Sequence, residues 1–169
     1  IARFNGSTWS DAGGGIWPVN VSGGAHVRSM TVHNNKLYVG GDSFMPFAKN
    51  IAAWDGSTWS NLGTGIGSAG FGIVFSLAGY NGDLYAGGQF NQAGTVTANN
   101  VAKWNGSTWS NAGGGLSGGD SLVLTLKVYN NILYAGGSFD NPANNIAAFD
   151  GFSWSDVHGG VSNGNVLSL

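Results

Sequence analysis

The eight aspartates hold all of the negative charge in this 169-residue chain, which contains no Glu and no Cys. Sugar hydrolysis generally needs two carboxylates in separate roles, so these are the first residues to weigh for chemistry. Asp55 and Asp150 stand in slots that hold Asn5 and Asn105 elsewhere, and Asp11 and Asp156 are matched by Asn61 and Asn111. A slot that accepts either residue serves turn hydrogen bonding, not proton transfer. Asp83 aligns with Lys36 and Ile132 and reads as a solvated hairpin position. That leaves Asp42, Asp120 and Asp140. They would make a hydrolase only if Asp42 faced Asp120 or Asp140 within ~10 Å across a cleft, and no catalytic residue is assigned.

Aromatic rings come next, because an exposed tryptophan is a usual platform for a sugar. Trp9, Trp59, Trp109 and Trp154 recur in register, while Trp54 and Trp104 share a slot with Phe4 and Phe149. Positions that take either ring in successive copies are packing positions, each burying ~150–250 Å². Trp17 has no counterpart and sits beside Pro18 in the longest variable loop, from Gly13 to His26. A further slot, after each diglycine, holds Asp42, Gln89 and Ser138, three different polar residues in one structural position. The candidates for ligand binding are therefore Trp17, Asp42, Phe71, Gln89, Asp120 and Asp140. His26, His33 and His158 show no metal-ligand spacing. The diglycines lack the helix and Lys of a phosphate loop. Neither a metal nor a cofactor is expected.

These residues hang on a repeat. The block Asn5-Gly6-Ser7-Thr8-Trp9 returns at Asp55–Trp59 and Asn105–Trp109 and more loosely at Asp150–Trp154, with Trp-to-Trp steps of 50, 50 and 45 residues. Leu37-Tyr38-Val39-Gly40-Gly41 returns at Leu84–Gly88 and Leu133–Gly137. Each unit has four short segments of strand character, starting at Val27, at Leu37, at Ile51 and at Trp59 in the first complete copy. Asn-Gly or Asp-Gly between the third and fourth strands predicts a type I′ hairpin turn, and Asn34-Asn35, Asn81-Gly82 and Asn130-Asn131 suit the same turn between the first and second. From Val to Leu of these two strands is 10 residues in every complete unit. The diglycine-to-third-strand connection varies, at 10, 13 and 9 residues, as does the connection from Trp to the next first strand. Fixed hairpins thus belong at one face of an up-and-down sheet and variable loops at the other.

Repeated four-stranded units of this period are the signature of β-propeller blades. The diglycine ending the second strand, the aromatic and Asp-Gly of the third (Trp54-Asp55-Gly56) and the Trp of the fourth (Trp59) resemble the kelch family and its bacterial relatives. The resemblance implies an all-β propeller over residues 1–169 and little about function. It would also admit an oxidase built on a cysteine-modified tyrosine, which a chain without Cys cannot form. The expected organisation is a blade remnant at 1–13, blades at about 27–63, 74–113 and 123–157, and the first strand of another blade at 166–169. Three closures remain open: an arc of a longer chain, a four-bladed ring lacking one strand, or a ring shared by two chains. A homo-oligomer or a larger parent chain is expected, because open blade edges invite pairing.

Composition narrows the partners. Only 8% of residues are charged and the net charge is −2, with six scattered cations, so there is no basic stripe for nucleic acid. No apolar run reaches the ~20 residues of a membrane-spanning helix. The Gly-, Ser-, Asn- and Trp-rich, charge-poor surface points to an extracellular or cell-surface, non-enzymatic module for binding or adhesion, with a glycan or a surface protein as partner. The alternative is a structural repeat of a large surface protein or a self-assembling extracellular particle.

Overall fold

The computed structural model describes residues 1–14, 26–42, 49–68 and 71–169. Its described residues form sixteen strands and no helix. A two-stranded hairpin, β1 (Ala2–Phe4) and β2 (Trp9–Asp11), precedes three antiparallel four-stranded sheets. The first sheet is β3 (His26–His33), β4 (Lys36–Asp42), β5 (Ile51–Trp54) and β6 (Trp59–Asn61), in that order. In the second, β7 (Ile73–Tyr80) and β8 (Asp83–Gln89) are followed by a small hairpin, β9 (Gln92–Ala93) and β10 (Val96–Thr97), before β11 (Val101–Trp104) and β12 (Trp109–Asn111) complete the sheet. The third runs β13 (Leu122–Tyr129), β14 (Ile132–Ser138), β15 (Ile146–Phe149) and β16 (Trp154–Asp156). All three are simple meanders, as the hairpin signals predict.

The two kinds of hairpin differ. Asn34 and Asn35 have φ of 47° and 59°, Asn81 and Gly82 49° and 83°, and Asn130 and Asn131 47° and 58°. These are the two-residue turns with two left-handed residues that a type I′ geometry demands. The Asn-Gly and Asp-Gly hairpins are not type I′. Phe4 pairs with Trp9 across a four-residue loop, and in each copy the glycine has positive φ (Gly6 at 100°, Gly56 at 105°) but the preceding Asn or Asp does not. The cause is the side chain itself. Oδ1 of Asn5 accepts the N–H groups of Ser7 and Thr8, both at 2.9 Å, and Asp55, Asn105 and Asp150 do the same. One acceptor oxygen suffices, so Asp and Asn interchange.

The sheets pack on one another through three recurring contacts. The first is at the diglycine. A Cβ placed on Gly40 would stand 2.5 Å from Cγ1 of Val74 on the next sheet, and one on Gly87 2.7 Å from Cγ1 of Val123. Gly136 stands in the same relation to Val166, at 2.5 Å. The segment 166–169 forms no ladder, but the Val166 N–H donates to the Gly137 carbonyl at 3.1 Å. Second, the Ser29 hydroxyl accepts the Leu77 N–H at 3.0 Å, and Ser76 accepts that of Leu126 at 2.9 Å. Both serines directly follow a bulge, which shifts the register between Val27 and Ser29 and between Val74 and Ser76.

The third contact uses the repeated tryptophan. The Trp59 indole N–H donates to the carbonyl of Ala12, Trp109 to Leu62 and Trp154 to Ala112, at 2.7–2.8 Å. Each ring also faces the aromatic opposite it in its own hairpin: Trp54 with Trp59 and Trp104 with Trp109 at 5.2 Å, and Phe149 with Trp154 at 4.8 Å. The core consequently lies between sheets. One cluster joins Tyr38, Ile51 and Leu62 to Val74, Leu77, Leu84 and Phe90, and another joins Tyr85 and Val101 to Val123, Leu126, Leu133 and Phe149. Substituting Gly87→Ala forces its methyl into Val123 and Leu126. Overpacking of this kind costs about 1–3 kcal/mol, and a urea midpoint lowered with an unchanged m value is the expected result.

Candidate functional site

In each four-stranded sheet the second strand ends where the third begins, Gly40 opposite Ile51, Gly87 opposite Val101 and Gly136 opposite Ile146. An asparagine pins this end in every sheet. Asn50, Asn100 and Asn145 directly precede the third strand with φ near 60° (59°, 63° and 63°). The Asn100 side chain is buried; its Oδ1 accepts the Phe90 N–H at 3.1 Å and its Nδ2 donates to the Leu116 carbonyl at 2.8 Å. Asn145 bridges Phe139 and Val161 in the same way, and Asn50 donates to the carbonyls of Ile66 and Gly72. Loops of different length therefore start from one rigid base.

The predicted binding residues lie in separate places on this end. Trp17 lies outside the described residues. Asp42, at the end of β4, is half-buried, with its carboxylate 3.3 Å from His26 Nδ1 and 3.3 Å from the Arg28 guanidinium. Arg28 in turn lies over the Phe75 ring, 5.3 Å from its centroid. Gln89 is half-buried at the end of β8. Asp120 and Asp140 lie on two loops of the third sheet that bond to each other. The Ser138 hydroxyl donates to Asp120 Oδ2 at 3.0 Å, and Asp140 Oδ2 accepts the Gly119 N–H at 3.2 Å. Asp42 belongs to the first sheet and this pair to the third, with the second sheet between them. Asp83 is not simply solvated: it pairs with Lys103 on the neighbouring β11, with an Nζ–Oδ2 distance of 3.2 Å.

Phe71 is half exposed and its N–H bonds to the Ser68 carbonyl at 2.6 Å. Ser68 is one wall of a cleft of about 350 Å³ whose other walls are Asn91, Gln92, Thr95 and Thr97. These four belong to the β9–β10 hairpin and its flanks. Sequence reasoning did not select them, although the 13-residue spacing from Gly88 to the third strand, against 10 and 9 elsewhere, marks where the extra hairpin sits. On the other side of the hairpin lies a smaller groove of about 200 Å³, shared by Thr95, Trp104 and Trp109.

No family model and no curated protein matches the chain.

Two consequences can be measured. Asn100→Ala leaves the buried Phe90 N–H and Leu116 carbonyl without their partner, a cost of about 1–3 kcal/mol that chemical denaturation will register. At the fixed hairpins, the N–H groups of Thr58 and then Ser57 hold Asp55 well below the usual carboxylate range, and Ser153 and Phe152 lower Asp150. A carboxylate depressed in the folded state contributes stability above its unfolded pKa of about 3.9 and loses it as pH falls. Urea midpoints followed from about pH 5 to about pH 2 should fall less steeply in Asp55→Asn than in the parent chain.

Proposed function

We propose that the chain is an arc of a β-propeller of kelch-like blades and works as a non-enzymatic, extracellular binding or adhesion module. One observation carries this reading: the same three inter-sheet contacts recur from sheet to sheet, while the loops at one end differ in length and side chains. A scaffold held constant beneath variable loops is the arrangement of a recognition surface. The neutral, hydroxyl- and amide-rich surface supports an extracellular setting and a glycan or a surface protein as partner. The hydrolase alternative has less support, because Asp42 stands apart from Asp120 and Asp140, and both of those are engaged in loop hydrogen bonds.

The β1–β2 hairpin and β3 need neighbours. Phe4 and Trp9 are 51% and 71% exposed, whereas their counterparts Trp104, Trp109, Phe149 and Trp154 are buried. Val27 and Met30 are likewise exposed where Val74, Leu77, Val123 and Leu126 are buried. We propose that further blades of the same construction cover this face, in a longer parent chain or in a second copy. The exposed apolar end also favours a second reading, a structural repeat of an extracellular assembly in which neighbouring units pair end to end.

The denatured and native masses of the natural polypeptide test the ring. A denatured mass above 17.3 kDa, or a 17.3 kDa chain that associates, is expected; a 17.3 kDa chain that stays monomeric at high concentration contradicts it. Recognition is tested by applying the labelled, folded chain to a glycan array and to intact cell surfaces. Retention on either is expected, and retention on neither overturns the module reading.

A further inference from the structure

We infer that the β9–β10 hairpin forms a binding site for a neutral oligosaccharide. This rests on the module reading above and assigns its ligand class and its place. The hairpin is an addition to the repeat: the equivalent connection in the third sheet, between β14 and β15, carries no such strands. It is also rigid. Ala93 is fully buried and bridges to Ile66, the Gln92 carbonyl accepts the Gly67 N–H at 2.7 Å, and the Gly94 N–H donates to the Gly65 carbonyl at 2.7 Å. A Cβ on Gly94 would come within 3.1 Å of the Trp109 ring, so the hairpin lies directly on that indole.

The cleft beside it is lined by three hydroxyls and two carboxamides, on Ser68, Thr95, Thr97, Asn91 and Gln92, with no charged group among them. Its volume of about 350 Å³ lies at the low end of the ~300–1,000 Å³ typical of small-molecule sites. Part of this polar capacity is used internally: Ser68 Oγ donates to Asn91 Oδ1 at 3.0 Å and Gln92 Nε2 to the Gly94 carbonyl at 3.1 Å. The Thr95 and Thr97 hydroxyls and the Asn91 amide N–H groups have no protein partner among the described residues. Hydroxyls and carboxamides both donate and accept, which matches the alternating demands of vicinal sugar hydroxyls. The absence of Lys and Arg from the walls gives a uronic or sulfated sugar no counter-charge. Phe71 is half exposed and tied by its backbone N–H to the carbonyl of Ser68, a wall of the cleft, and in the proposed site its ring takes the part of a stacking platform for the sugar.

The test is a titration of the isotope-labelled chain with cellohexaose, maltohexaose, mannohexaose and, as a charged control, a hexagalacturonate, followed by NMR. Saturable shifts at Ser68, Asn91, Gln92, Thr95 and Thr97 with at least one neutral hexaose, and none with the uronate, are expected. Thr97→Val and Phe71→Ala, both at exposed positions, should each weaken that binding about two- to ten-fold while leaving the rest of the spectrum in place. Shifts confined to other loop residues, or binding unchanged in both variants, would overturn the site and leave the module reading standing. Silence with every neutral sugar would overturn the ligand class, and the cell-surface assay would then decide the module reading on its own.

Discussion

A missing side chain holds this protein together. At Gly40, Gly87 and Gly136 the space a methyl group would fill is taken by a valine of the segment that follows, Val74, Val123 or Val166. The close approach brings the Ser29 and Ser76 hydroxyls within reach of the next sheet's backbone, and it lets the fourth-strand indole reach back to a carbonyl of the preceding unit. Strands of three to eight residues in a single meander cannot bury a core alone. The apolar residues find their partners only across the sheet-to-sheet seam, and stability in such an array is a sum of units and nearest-neighbour interfaces.

Much of this was legible in the residues. The Leu-Tyr-Ala-Gly-Gly segments marked the second strands and their tight packing, and slots that accept Trp or Phe marked aromatics that are buried in the second and third sheets, at Trp104 and Phe149. The asparagine counterparts of Asp55 and Asp150 marked these aspartates as turn acceptors, and their side chains accept the N–H groups of the hairpin loops. The type of turn was not legible, because Asn-Gly is compatible with a two-residue turn, and the competing acceptance of two backbone N–H groups by the Asn or Asp side chain comes with the longer four-residue loop, whether Ser-Thr or Phe-Ser follows the glycine. The asparagine clamp was also missed. Asn50, Asn100 and Asn145 sit at a constant offset before the third strand, but their partners Ile66, Leu116 and Val161 are 16 residues away, marked only by an apolar residue that recurs after glycine seven positions beyond the repeated Trp.

The loop end follows a different rule from the seams. Its base repeats, through the asparagine clamp, but what stands on the base does not: an Asp–His–Arg cluster on the first sheet, an inserted hairpin on the second, and an Asp–Ser–Asp arrangement on the third. Repetition concentrates stability in the seams and frees the loops to diverge. Sequence reasoning weighed ionisable and aromatic residues first, whereas the cleft beside the inserted hairpin is built from uncharged Ser, Thr, Asn and Gln. Those residue types are so common in this chain that composition alone cannot single them out.

The seam is most directly tested by hydrogen exchange at the tryptophan indoles. Trp59, Trp109 and Trp154 donate across a seam, while Trp9, 71% exposed, has no described neighbour to receive its N–H. In the isolated folded chain, slow exchange at those three indoles and fast exchange at Trp9 is the predicted pattern. Exchange at all four with the same fast rate would mean that the indoles do not bridge the sheets, and the interlocked array would be wrong.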